Sequence, residues 1–250
     1  MNQKIALVTG AASGIGRATA QALGGEGTRV VCVDHDEPGA RLAASKIGGS
    51  IAIGADVSCD RDCRTAVRAA AELGGLDVLV NVAGIMVDDD HVDRLSEEAW
   101  NRVLAVNLTS IFLMSRHAIP LMRSGGGGVI VNTASVHAFA TMTGTAAYAA
   151  SKGAIVALTR QMALDYAPDL IRVVAVAPGS VDTPLSHRAA IQAGVSSLAE
   201  LGFSFSPRDV GHVGQSTEVA AAIAWLASGA ASFVNGTTVT VDGALLARLV

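Results

Sequence analysis

Ile5-Ala6-Leu7-Val8-Thr9-Gly10-Ala11-Ala12-Ser13-Gly14-Ile15-Gly16 runs from four apolar residues into a glycine cluster, and Arg17–Leu23 then continues at helical spacing. A strand, a tight loop and a helix in that order form the opening of a dinucleotide-binding unit. The glycines permit a sharp turn, let the backbone approach a pyrophosphate and let the helix pack closely on the sheet. The N–H groups at the start of the helix, together with its dipole, suit a phosphate. The spacing is Gly-x-x-x-Gly-x-Gly rather than the commoner Gly-x-Gly-x-x-Gly, so the strand–loop–helix context carries the assignment.

Outward from this stretch, short apolar runs alternate with helical patterns. Expected strands are Ile5–Val8, Arg29–Asp34, Ser50–Gly54, Val78–Asn81, Gly128–Ala134, Arg172–Ala177 and Thr238–Val241. Expected helices are Gly14–Leu23, Glu37–Lys46, Asp60–Leu73, Glu97–Arg123, Tyr148–Tyr166 and Thr217–Ala227. Strands that are apolar throughout, rather than alternating, are covered on both faces. The expectation is therefore an α/β fold: one Rossmann-like, doubly wound parallel sheet of about seven strands with helices on both faces. At 250 residues with no domain-sized linker, the chain reads as a single domain over 1–250. Leu185–Gly214 has no strand pattern, contains Pro207 and is too long for a plain connection, so it reads as a lid.

Composition excludes several classes. Half of the residues are apolar, 16% are charged and the net charge is −4, which leaves no basic footprint for nucleic acid. Cys32, Cys59 and Cys63 read as reduced structural thiols, and no His/Cys spacing calls for a metal. Val219–Val241 is uncharged and long enough for a bilayer, but it is alanine-rich and interrupted by Ser228-Gly229 and Asn235-Gly236. A buried helix, a turn and a strand describe it better. The expectation is a cytoplasmic protein with no membrane partner.

Three residues carry chemistry. Asp34, at the end of the second strand, is placed to accept both ribose hydroxyls of an adenosine and to repel a 2′-phosphate, which favours NAD (NADH) over NADP. No Arg or Lys at Ala12, Ser13 or His35 offsets its charge. Tyr148 and Lys152, four residues apart, stack on one helix face. A phenol beside an ammonium is an acid–base pair in which the cation favours the phenolate.

With Thr9–Gly16, Asp34, Asp56-Val57, Asn81-Val82-Ala83-Gly84, Asn107, Ser135, Tyr148/Lys152, Pro178-Gly179 with Thr183, and Val241-Asp242-Gly243, the chain resembles the short-chain dehydrogenase/reductases over its full length. The resemblance implies an NAD(H)-dependent enzyme that interconverts a secondary alcohol and its ketone. Asn107, Ser135, Tyr148 and Lys152 would be catalytic: Tyr148 as acid–base, Lys152 lowering its pKa and holding the ribose hydroxyls, Ser135 positioning the substrate oxygen, and Asn107 binding a relay water. The cofactor would lie on Gly10, Ser13, Gly14, Ile15, Gly16, Asp34, Asp56 (to the adenine amino group), Val57, Asn81, Ala83, Gly84, Tyr148, Lys152, Pro178, Gly179, Val181 and Thr183. Val82 stands where the family usually has a second Asn.

Ser135, His137 and Tyr148 are expected to face the substrate, a small-molecule alcohol, sugar or hydroxy-ketone. Phe203 and Phe205 of the lid would lie opposite Val136, His137, Phe139 and Met142; His187 and His212 lie in or near the lid. The family implies a homotetramer, or alternatively a dimer, built on the helices Glu97–Arg123 and Tyr148–Tyr166. Two alternatives stand: an NADPH-dependent 3-oxoacyl-carrier-protein reductase on the same fold, and an inactive nucleotide-sensing or scaffold protein.

Overall fold

The computed structural model describes residues 3–86, 90–192, 194–195, 198 and 213–247. In chain order the principal elements are β1 (Ile5–Thr9), α1 (Gly14–Gly25), β2 (Arg29–Asp34), α2 (Glu37–Ala44), β3 (Ile51–Gly54), α3 (Asp60–Leu73), β4 (Val78–Asn81), α4 (Glu97–Leu104), α5 (Ser110–Ser124), β5 (Gly128–Thr133), α6 (Ala146–Tyr166), β6 (Ile171–Pro178), β7 (Val181–Asp182), α7 (Pro184–Gln192), β8 (Gly214–Gln215), α8 (Ser216–Ala227) and β9 (Thr238–Val241).

Seven strands form one parallel sheet in the order β3-β2-β1-β4-β5-β6-β9. The order reverses between β1 and β4, and in such sheets ligands bind at that switch point, outside the strand C-termini. Alternate strand residues feed two cores. Ala6, Val8, Val78, Val80 and Val131 pack with α1, α2 and α8. Ile5, Leu7, Leu79 and Ile130 pack with α3, α5 and the C-terminal half of α6. Both faces are buried, so these strands carry no polar side.

Three sequence expectations need correction. Glu97–Arg123 is not one regular helix: a π-helical turn, Ala105–Thr109, separates α4 from α5 and contains Asn107. The last helix begins at Ser216 rather than at the expected Thr217, with Gln215 as its cap in a capping box with Glu218. The expected lid is not free of regular structure, because α7 occupies Pro184–Gln192 and β8 begins at Gly214. Pairing of β7 with β8 ties the two ends of that segment together. Phe203, Phe205, Pro207 and His212 lie outside the described residues.

Val219–Val241 resolves into α8, a short 3-10 turn and β9. The continuous helical stretch Glu97–Ser124 is long and apolar enough to cross a membrane, and half of its most apolar window is buried in the fold.

Candidate active site

The glycine loop between β1 and α1 is held from both sides. Gly10 has φ +69°, and a side chain there would press on the backbone of Ala83, 3.0 Å away, after β4. At Gly16 a Cβ would overlap the Gly10 carbonyl, so only glycine lets α1 start there. The Thr9 hydroxyl accepts from the N–H groups of Val82 and Ala83 at 3.0 and 3.1 Å, stitching the β1 and β4 ends together. Ser13 precedes α1 without a side-chain cap, which leaves the first-turn N–H groups available to an anion.

Asp34 ends β2 and is buried. Its carboxylate accepts from Ala12 N at 2.9 Å and Asp36 N at 3.0 Å, and pairs with exposed His35 at 2.9 Å. Arg17, which the sequence reading passed over, donates to the Ala12 carbonyl, and its Nε is buried without a hydrogen-bond partner. A cation thus braces the loop that faces Asp34; the signal for it was an arginine on the turn after the last glycine.

Asp56 is exposed and accepts from the backbone and hydroxyl of Ser58, which hold its carboxyl below the usual range. Val57 is buried in the α3-side core. The Asn81 side chain does not face the strand-end crevice: it is buried and donates to Asn132 Oδ1 at 2.9 Å, while Asn132 donates to Thr159. Whatever Asn81 offers a ligand therefore comes from its backbone. Val181 is buried, and the Thr183 methyl group packs against Gly14. The Thr183 hydroxyl shares a hydrogen bond with Ser186 at 2.9 Å, and Gly179 lies against Asp242. His187 pairs with Asp182 at 2.7 Å across the base of α7, on the exposed side.

Asn107, Ser135, Tyr148 and Lys152 come from the π turn, the end of β5 and α6; the fold brings Asn107 and Lys152 together at Gly84, and Tyr148 joins Lys152 to Ser135. A Cβ on Gly84 would sit 3.3 Å from Asn107 Oδ1 and 3.6 Å from Lys152 Nζ. Asn107 is buried; it accepts from Ile85 N at 2.7 Å and donates to Ile85 O and Ser151 Oγ at 2.9 and 3.1 Å. This explains an Asn inside a helix: a π turn re-aims one side chain, and here it pairs with the loop after β4.

Lys152 Nζ donates to the Thr133 carbonyl at 2.8 Å and lies 5.4 Å from the Tyr148 ring centroid. Burial pushes the lysine down to about 8. Tyr148 retains partial surface exposure, yet burial raises its pKa, opposed by a hydrogen bond with Ser135. The expected lowering of the Tyr148 pKa by Lys152 is therefore corrected: removal from water dominates both groups. Desolvation disfavours phenolate and ammonium alike.

Ser135 Oγ also accepts from His137 N at 3.2 Å, and the His137 ring stands edge-on to Tyr148 with centroids 5.3 Å apart. Beside the start of α6 a cleft of about 230 Å³ is lined by His91, Thr141, Met142 and Ala149 among others. Phe139 and Met142 are exposed at this end.

A protein-family model described as enoyl-(acyl carrier protein) reductase matches residues 10–245. The chain is 42% identical to the cis-4-hydroxycyclohexanecarboxylate dehydrogenase of Sinomonas cyclohexanicum, with 96% of each chain covered. It is 36% identical to the cyclohexanol dehydrogenase of Acinetobacter sp. strain SE19, over 99% of this chain and 96% of that one. Among solved structures, a 3-ketoacyl-(acyl-carrier-protein) reductase from Brucella melitensis complexed with NADH superposes with a TM-score of 0.84 at 35% identity, covering 96% of this chain and 97% of that one.

Proposed function

The chain belongs to the short-chain dehydrogenase/reductase family, and on that premise we propose that it oxidises a cyclic secondary alcohol to its ketone with NAD, and runs the reverse reaction with NADH. The observation that carries this reading is the convergence of Ser135, Tyr148 and Lys152 beside a glycine-lined cradle. A bound nicotinamide supplies the hydride acceptor or donor. Tyr148 takes the alcohol proton as phenolate, or donates it to the ketone as phenol. Ser135 orients the substrate oxygen and stabilises the charge that develops on it. Lys152 holds the ribose hydroxyls, and Asn107 keeps the Ile85 loop and α6 in register so that these groups meet. Ring-bearing alcohols are favoured because two relatives over 35% identical are named for them, and the site rim is apolar.

NAD is preferred to NADP because a buried carboxylate, Asp34, sits beside the glycine loop. Asp34→Ala should lower the ratio of NAD to NADP kcat/KM by about tenfold or more, since removing the carboxylate removes both a ribose partner and a repulsion. An unchanged ratio would refute the preference.

The second reading, a 3-oxoacyl-carrier-protein reductase, is favoured by the Brucella structure. That neighbour holds NADH, so cofactor choice does not separate the two readings. Comparing initial rates on cyclohexanone and on an acetoacetyl thioester does, and the thioester is expected to be the poorer substrate.

The assembly proposed is a homotetramer. Phe112 on α5 and Leu164 on α6 stand 52% and 75% exposed, and Trp225 and Phe233 are exposed as well. Sedimentation equilibrium should give four times the chain mass of 25.3 kDa. Phe112→Glu should shift it to a smaller species, and a monomeric wild type would exclude this arrangement.

A further inference from the structure

His35 directly follows β2, and its ring Nδ1 lies 2.9 Å from Asp34 Oδ1. The two side chains differ sharply in exposure, 8% for Asp34 and 87% for His35. Asp34 Oδ2 accepts from Ala12 N, so one carboxylate joins the glycine loop to an imidazole open to solvent. The elements around the ring carry mainly acids: Asp36 and Glu37 at the start of α2, and Asp56 after β3. The cations there are engaged, Arg41 with Glu37 and Arg17 with the Ala12 carbonyl. The influence of a charged His35 reaches past Asp34. After the hydrogen bonds from Ser58, His35 and Arg102 help to lower the Asp56 carboxyl.

A 2′-phosphate would take the place of a ribose hydroxyl at the Asp34 carboxylate and bring a charge of about −1.5 to −2 beside the ring. We propose that His35 is a specificity-determining residue that makes the cofactor choice depend on pH: uncharged, it leaves Asp34 to repel a 2′-phosphate, and as imidazolium it offsets that carboxylate and admits NADP. The inference rests on the NAD reading of Asp34 above. It acts through charge, so it requires no open hydrogen-bonding position on the ring. Histidine is the side chain whose ordinary titration falls between about pH 5 and 8. Exposure sets the size of the effect, since an exposed charge pair changes an equilibrium by up to about fivefold. Linkage sets a second signature. If the imidazolium favours NADP, bound NADP favours the imidazolium by the same factor, and binding takes up protons.

The test titrates NADH and NADPH by fluorescence at about pH 8.2 and about pH 5.8, without substrate. The 2′-phosphate itself protonates near about pH 6, so part of the shift toward NADPH in acid is common to every variant. Beyond that part, the wild-type ratio of NADPH to NADH dissociation constants should fall about fivefold more than that of His35→Gln, which cannot charge. His35→Arg, charged throughout, should start about fivefold below wild type at the higher pH and respond to acid only as His35→Gln does. Raising the salt should shrink these differences. Calorimetry of NADPH binding, in buffers of different ionisation enthalpy, should show proton uptake by wild type in excess of the His35→Gln value, with no such excess for NADH.

Equal acid responses in wild type and His35→Gln, or equal proton uptake, would overturn the proposal and leave the NAD reading standing on Asp34. A wild type that binds NADPH more tightly than NADH at the higher pH, or a ratio that Asp34→Ala leaves unchanged, would overturn both.

Discussion

Tyr148→Phe is expected to lower kcat for alcohol oxidation by about 10³-fold while leaving NADH affinity within about twofold, since general acid–base groups contribute 10²–10⁴. The substitution removes one oxygen. Its hydrogen-bond partner, Ser135, keeps the bond from His137 N, so stability should change by no more than about 1 kcal/mol. The pH profile carries the sharper signature. Burial holds the phenol above its ordinary value of 10.0, so the phenolate needed for oxidation forms only as pH rises. Wild-type oxidation should climb through the alkaline range, ketone reduction should fall over the same range, and both slopes should vanish in the variant. Stopped-flow rates with a ring alcohol and NADH fluorescence titration check these outcomes. Near-normal turnover would remove Tyr148 from the mechanism.

Lys152→Met should cost about 10²-fold or more in turnover and weaken NADH binding, yet make the protein more stable below about pH 8. The sign follows from burial. The lysine's folded pKa is about 8, against an ordinary 10.5, so the folded state resists its proton. Between those values the unfolded chain binds more protons, and wild-type stability rises with pH through that window. Below it the buried ammonium is a standing penalty of order 3 kcal/mol at most, reduced by the bond to the Thr133 carbonyl. Methionine fills similar space without the charge, so the variant's stability curve should be flatter between pH 8 and 10.5. Denaturant melts across pH, beside kinetic assays, separate the two effects. A variant that is both less stable and fully active would contradict the assigned role.

Much of the architecture was legible because its causes are local. Seven apolar runs became seven strands of a parallel sheet, since a strand covered on both faces favours apolar residues on both of its sides. Val219–Val241 divided as expected because Ser228-Gly229 and Asn235-Gly236 interrupt any helix there. The break within 97–124 was not legible: no glycine or proline marks Ala105–Thr109, and the π turn goes with Asn107 pairing to Ile85, distant in sequence. Helix α7 was hidden because Pro184–Gln192 shows little periodicity, although its opening proline suits a first helical position. Asn81 misled for a related reason. Its place at a strand end suggested a ligand contact, and only the register of β4 with β5 reveals that its amide meets Asn132.

Sequence alone determined the seven strands of the main sheet, the direction of that sheet and the family, because periodicity and the steric need for Gly10 and Gly16 act within a few residues. The tertiary structure decided the electrostatics of the site: a phenol raised and a lysine lowered by burial, and an arginine bracing the Asp34 loop. Those properties depend on what surrounds each group in space, and desolvation and hydrogen-bond direction have no expression in a linear string of residues.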